Sequence, residues 1–309
     1  MAIPTPSRVR TLATGVAVVV LLGACGGADR PTLSTLDELT TPSPTPALTG
    51  TPTPEPNAGD APAPTPESTR VPAVGDAPEM LTAQVLDVRP HDPEAFTQGL
   101  VLEDGRMFES TGDVAPLGTV VREVDPLTGE VLDETSVPGV FGEGLEWIGD
   151  RLLQLTWKDE RLIVFDVESL EPLGQVPYEG EGWGLCLLDE RLAMSDGSDT
   201  IAFRSPQDFS VLSTVSVTLS GEPLLLLNEL ECVDGQIWAN VFRSDSIVRI
   251  DPGTGVVTAV VDTSALDRTG VPDEGGAVLN GIAYDEAAGT FLITGKLWPS
   301  LFEVVFVPA

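Results

Sequence analysis

Five segments decide how this chain folds: Phe96-Thr97-Gln98-Gly99-Leu100, Phe141-Gly142-Glu143-Gly144-Leu145, Glu181-Gly182-Trp183-Gly184-Leu185, Leu226-Leu227-Asn228-Glu229-Leu230 and Val278-Leu279-Asn280-Gly281-Ile282. They align without gaps, and their central residues lie 45, 40, 45 and 52 positions apart. Beyond each comes a second matching strand: Arg106–Gly112, Arg151–Trp157, Arg191–Gly197, Gln236–Phe242 and Thr290–Lys296. Third strands such as Val120–Val124, Leu162–Phe165 and Ile247–Ile250 run into tight turns of the Asp125-Pro126-Leu127-Thr128-Gly129 type, where Gly supplies the positive φ. Four short strands per repeat of roughly 40 to 45 residues is the period of a propeller blade. The expected fold is all-β, a five-bladed β-propeller. After the fifth segment only Leu301–Val307 remains, so the last blade lacks an outer strand. The orphan strand Gln84–Val88 precedes the first repeat and is expected to supply it, closing the ring and hiding both edges.

Outward from the repeats, the chain changes character. Residues 26–80 carry eleven prolines after position 41, in repeated Thr-Pro, Ser-Pro and Ala-Pro pairs, with almost no large apolar side chain. Such a stretch cannot bury a core and reads as an extended linker. Before it, Arg8 and Arg10 lead into the apolar run Thr11–Leu22, too short for a comfortable permanent span, which stops at Leu22-Gly23-Ala24-Cys25. This resembles a bacterial lipoprotein signal, with residues 1–25 as the signal segment and Cys25 as the lipidated residue. The expected location is therefore the outer face of the cytoplasmic membrane, tethered by more than one acyl chain. The folded domain is expected over residues 81–309 and as a monomer.

The chain has 309 residues and a formal net charge of −32. Residues 81–309 alone hold 40 acidic and 12 basic residues, so the acidity belongs to the domain. No basic cluster exists to receive a phosphate backbone, which excludes a nucleic-acid partner. A single histidine, His91, excludes a multi-histidine zinc site and leaves a Ser-His-Asp triad only one candidate. His91, in His91-Asp92-Pro93, is expected to cap a turn. Cys186 and Cys232 fit either a disulfide or two small buried core residues, the second being favoured.

In a propeller the first strand of each blade lines the central channel, so each column of the alignment is a ring of side chains. The central column reads Gln98, Glu143, Trp183, Asn228, Asn280, and the column ending the second strand reads Gly112, Trp157, Gly197, Phe242, Lys296. Amides and aromatics there serve core packing as readily as binding. Glu143 and Lys296 differ, because Glu and Lys are rarely fully buried unless paired. Burial should raise the pKa of Glu143 and a paired Lys296 should lower it, which makes Glu143 the candidate proton carrier.

The motifs Phe96–Leu100, Phe141–Leu145, Gln154–Trp157, Glu181–Leu185, Met194–Ser198, Leu227–Glu231, Trp238–Asn240, Leu279–Ala283 and Thr294–Pro299, taken in order, resemble the plant and bacterial type of glutaminyl-peptide cyclotransferase. The resemblance spans residues 82–307. It implies a five-bladed propeller that converts N-terminal glutamine of peptides or proteins into pyroglutamate with release of ammonia. It further implies Glu143 as the acid/base, with Phe96, Gln98, Phe141, Trp157, Trp183, Asn228 and Lys296 around the substrate, and neither metal nor cofactor. One departure stands out. Relatives carry Trp-Ala-Asn-x-Trp where this chain has Trp238-Ala239-Asn240-Val241-Phe242, so Phe242 keeps a ring but lacks the indole N–H.

The chemistry suits these residues. As the α-amine attacks its own carboxamide it loses a proton, and the departing ammonia gains one, so one carboxylate can serve both transfers. Donors from Gln98, Asn228 or Lys296 would hold the oxyanion. Two alternatives use the same positions: a calcium-dependent propeller lactonase with Glu143, Asn228 and Asn280 as oxygen ligands, and a propeller that binds peptides without turnover.

Overall fold

The computed structural model describes residues 77–116, 118–273 and 276–309. The signal segment 1–25 with Cys25, and the linker up to residue 76, lie outside the described residues. Every element among the described residues is a β-strand. Chain order begins with β1 (Glu79–Pro90), two residues ahead of the expected domain start. The first meander is β2 (Thr97–Glu103), β3 (Arg106–Thr111), β4 (Val120–Val124) and β5 (Val131–Ser136). The second is β6 (Gly142–Ile148), β7 (Arg151–Thr156), β8 (Arg161–Asp166) and β9 (Pro172–Pro177). The third is β10 (Leu185–Leu188), β11 (Arg191–Ser195), β12 (Thr200–Arg204) and β13 (Val211–Ser216). A small hairpin, β14 (Thr218–Leu219) and β15 (Glu222–Pro223), then precedes β16 (Leu227–Val233), β17 (Gln236–Val241), β18 (Ser246–Ile250) and β19 (Val257–Asp262). The chain finishes with β20 (Leu279–Asp285), β21 (Thr290–Gly295) and β22 (Ser300–Pro308). The repeat expected from sequence places all five second strands to within a residue or two, whereas the β14–β15 hairpin has no counterpart in it.

The first three meanders form separate four-stranded antiparallel sheets. The last seven strands share an eight-stranded sheet with β1, in the order β16-β17-β18-β19-β1-β22-β21-β20. β1 makes that join. Its residues Leu81–Pro90 pair antiparallel with Ser300–Pro308, as the Gln84–Val88 expectation requires, while Glu79–Thr82 pair parallel with Ala259–Asp262.

Continuous burial of the middle strands explains the packing between sheets. Strands two and three of each meander are buried on both faces, and the fourth strands β5 and β13 are largely exposed. Four clusters of buried side chains bridge neighbouring sheets: Phe108 and Leu145 between the first and second, Leu155 and Leu192 between the second and third, Ile201 and Ile237 between the third and the joined sheet, and Met107 and Leu292 between the β20–β22 part of that sheet and the first meander; a fifth, with Trp238 and Phe291, lies within the joined sheet. Burying each such side chain is worth about 1.5–3 kcal/mol, which is what holds adjacent sheets face to face. Innermost strands touch in a cycle: β2 with β6, β6 with β10, β10 with β16, β16 with β20, and β20 with β2.

Cys186 on β10 and Cys232 on β16 form a disulfide, with Cα atoms 5.5 Å apart. The favoured expectation of two free core thiols is therefore corrected. In successive repeats these residues occupy nearly the same strand position, so packing β10 on β16 brings them together.

Candidate active site

Each of four inner strands carries one extra residue relative to its partner. The pairing skips between Thr97 and Gly99, Gly142 and Leu145, Leu227 and Leu230, and Leu279 and Ile282. A bulge bends its strand and re-aims the extra side chain. Here the re-aimed residues include Gln98, Glu143, Asn228 and Asn280, four of the five in the central column. The neighbouring glycines make room. A Cβ on Gly197 would meet the Trp183 ring at 2.6 Å, at φ +80°, and one on Gly112 would collide with the Phe141 ring. Thus two positions without side chains are what let the Trp183 and Phe141 rings lie where they do.

All nine residues proposed from sequence, Phe96, Gln98, Phe141, Glu143, Trp157, Trp183, Asn228, Phe242 and Lys296, line one cavity of about 200 Å³. A larger cavity, about 350 Å³, lies near Glu79, Trp238 and Phe306, but its Glu79 and Arg249 pair with each other at 3.2 Å. No isolated buried charge faces it, so the chemistry is sought in the smaller one.

Buried polar groups form a directed chain in the small cavity. Gln98 Oε1 accepts from Lys296 Nζ and, at 3.3 Å, from Asn280 Nδ2, which also donates to Thr97 O at 3.0 Å. With two donors fixed on its oxygen, the Gln98 amide must turn its Nε2 the other way, where it donates to Glu143 Oε1 at 3.3 Å. Glu143 and Lys296 are 4% and 3% exposed. Burial pushes the Glu143 carboxyl well above the usual range, Lys296 opposes this and Glu181 adds to it. Burial also pulls Lys296 down to about 8, against the attraction of Glu143. A carboxyl of raised proton affinity and an amine of lowered proton affinity therefore share one cavity. The side-chain oxygen of Asn228 is buried without a protein partner, an acceptor left for something else.

Aromatic rings surround this chain edge to face: Phe96 with Phe141 at 6.2 Å, Phe141 with Trp157 at 5.6 Å, and Trp183 with Phe242 at 5.6 Å. Lys296 Nζ stands 4.8 Å from the Phe96 ring centre and 5.4 Å from that of Phe242, so ring faces supply part of the stabilisation that water would.

Sequence reasoning missed two sets of residues. Glu181 was used only to align its repeat, yet its Oε2 accepts from Trp157 Nε1 at 2.8 Å and Trp183 Nε1 at 3.1 Å. The signal was the pair of tryptophans, since an indole N–H at a half-buried site needs an acceptor. His91 does more than cap a turn. It is buried, with Nδ1 donating to Trp298 O at 2.7 Å and Nε2 facing Glu109 Oε1 at 3.1 Å. Burial opposes its charge, but Glu109 raises its pKa overall, and His91 with Arg122 holds Glu109 down at about 2 despite its own burial. Thr97 donates to the same carboxylate at 2.6 Å, so this ion network braces the strand beneath Gln98 and the turn after Lys296.

Lys296 also bears on the calcium alternative, because an ammonium already occupies the electrostatic position a cation would need. Comparison with known proteins points the same way. The family model described as Glutamine cyclotransferase matches residues 61–306. An Arabidopsis thaliana protein named glutaminyl-peptide cyclotransferase is 38% identical over 224 residues, which is 70% of this chain and 68% of that protein. The crystal structure of Myxococcus xanthus glutaminyl cyclase matches with a TM-score of 0.70 and 39% identity, over 75% of this chain and 99% of that one. The chain belongs to the glutamine cyclotransferase family.

Proposed function

We propose that this enzyme cyclises the N-terminal glutamine of peptides and proteins with Glu143 as the shuttling acid/base, in the channel of a five-bladed propeller. The observation that carries the assignment is the buried chain from Lys296 through Gln98 to Glu143 at the floor of an aromatic cavity. The cycle of inner-strand contacts, the five clusters of buried side chains and the pairing of β1 with β22 support the five-bladed, closed reading.

A cavity of about 200 Å³ suits a single glutamine side chain folded back on its own amine. The α-amine, with an ordinary pKa of about 7.7–8.0, is neutral or readily made so at the working pH. Its nitrogen attacks the side-chain carbonyl carbon, forming the ring N–C bond, and Glu143 takes the proton that the nitrogen sheds. Lys296 lies where it can donate to the oxygen that becomes anionic, and the Asn228 oxygen is free to accept an amine N–H. Collapse breaks the bond to the carboxamide nitrogen, Glu143 returns its proton, and ammonia leaves. A single proton is borrowed and returned, so the elevated proton affinity of Glu143 serves both transfers. Aromatic walls hold the reacting atoms close, which is where an intramolecular reaction gains most.

The test compares a Gln-initiated peptide with its Asn-initiated analogue, one methylene shorter, by mass and free ammonia, with and without EDTA. The proposal expects loss of one ammonia from the Gln peptide alone, regardless of EDTA. An unchanged Gln peptide would leave a peptide-binding propeller. Export and anchoring at Cys25 belong to the same proposal and rest on the Leu22–Cys25 motif, and a monomeric state is proposed with them. Acyl labelling that disappears in Cys25→Ala supports the anchor, and labelling that persists contradicts it.

A further inference from the structure

Glu181 lies on the segment between β9 and β10, its side chain 39% exposed, and the reaction just described gives it no role. Its contacts are not those of an ordinary surface carboxylate. One oxygen receives both indole N–H groups, from Trp157 just after β7 in the second meander and from Trp183 just before β10 at the start of the third. Lys158 Nζ holds the other oxygen at 3.3 Å, and the same ammonium sits 3.9 Å over the Trp157 ring. Two aromatic walls contributed by different sheets are therefore pinned to a single oxygen atom. Without it neither indole N–H has a protein acceptor, and only ring packing holds the two walls.

We infer that Glu181 is a positioning residue of the cyclisation cavity, fixing Trp157 and Trp183 against the substrate and placing a negative charge near Glu143. This rests on the cavity being the cyclisation site. Glu181 itself stays ionised, since the two indoles and Lys158 outweigh its burial. Its charge adds to the elevation of the Glu143 pKa. The other groups around these two carboxyls are Gln98, Lys296 and the Tyr178 phenol at Glu143, and Lys158 at Glu181. Asp159, which accepts from Phe141 N at 3.2 Å, is paired with Arg161.

The experiment compares the full chain with Glu181→Gln and Glu181→Ala, following kcat and KM for a Gln-initiated peptide across pH, alongside tryptophan fluorescence. Glu181→Ala loses both the pin and the charge. Its kcat/KM should fall about 10- to 100-fold, the scale of a small misplacement of reacting groups, with altered indole emission. Glu181→Gln keeps an oxygen for the indoles and removes only the charge, so it should recover most of kcat/KM while its acid limb moves to lower pH. Should the Ala variant fail to fold, the limb shift in Glu181→Gln decides. Wild-type limbs in both variants, with kcat/KM within about threefold, overturn the inference alone. A wild-type chain that leaves the peptide unchanged overturns the cyclisation reading with it.

Discussion

Replacing Lys296 by Met isolates the electrostatic part of the mechanism. The side chain is 3% exposed and donates to Gln98 Oε1, which still receives Asn280 Nδ2 at 3.3 Å after the change, so no buried acceptor is orphaned. Removing a buried ammonium also removes its desolvation cost, and Met fills a similar volume between Phe96 and Phe242. Thermal stability should therefore hold or rise while catalysis suffers. Loss of one donor to a developing oxyanion costs about 2.7–4 kcal/mol, or 10²- to 10³-fold in kcat. Lys296 also lowers the proton affinity of Glu143, so its loss should move the acid limb of the pH profile upward. The wild-type enzyme should decline on the alkaline side as Lys296, with a pKa of about 8, loses its proton. In Lys296→Arg that alkaline decline should shift to higher pH, although the planar guanidinium will not reproduce the geometry in full. Ammonia release measured from pH 5 to 10 gives kcat for all three proteins. A Lys296→Met enzyme with kcat within about threefold of wild type and an unmoved acid limb would refute the role given to Lys296.

Phe242→Trp restores a ring N–H beside Trp183 and a better cation–π face for Lys296; kcat/KM should rise about 3- to 10-fold, one neutral hydrogen bond's worth, and a fall would show that the cavity is shaped to phenylalanine. Opening the Cys186–Cys232 bridge, which spans 46 residues, in a Cys186→Ala/Cys232→Ala double variant should cost about 4 kcal/mol in denaturant unfolding, with no change in KM. Stability should also depend on pH through the buried carboxyls. Glu146 is lifted to about 8 by burial and Glu229 well above its ordinary value, so both bind protons more tightly in the folded protein than in the unfolded chain. Their contribution is complete below about pH 4, and it fades as pH rises towards 8. The thermal midpoint should fall from pH 5 to 8 and fall less in Glu146→Gln; a flat or rising wild-type midpoint would contradict this.

Much of the site was legible because a repeat turns sequence position into spatial position. Once the Gln98, Glu143, Trp183, Asn228 and Asn280 column was aligned, their convergence followed from symmetry, and the second column brought in Trp157, Phe242 and Lys296. What symmetry cannot show is how groups that differ between repeats pair with one another. Glu181 shares its column with Phe96, Phe141, Leu226 and Val278, none of which is ionisable, and its role exists only because two indoles from different sheets share its oxygen. Glu229 falls beside the column, where it accepts from Leu100 N and Ile282 N, amides on neighbouring inner strands. His91 read as a turn residue because its partners, Glu109 and Trp298, lie 18 and 207 residues away. The disulfide stayed open for a related reason, since burial and pairing look alike for a cysteine until strand packing is known.

The most direct test of the central claim is single-turnover cyclisation of a Gln-initiated peptide by wild type, Glu143→Gln and Glu143→Asp. Glu143→Gln keeps the size of the side chain and an acceptor for Gln98 Nε2 but cannot carry the proton. The account predicts a 10²- to 10⁴-fold loss of rate with peptide affinity little changed, and partial recovery in Glu143→Asp. A Glu143→Gln enzyme that cyclises the peptide at close to the wild-type rate would contradict it.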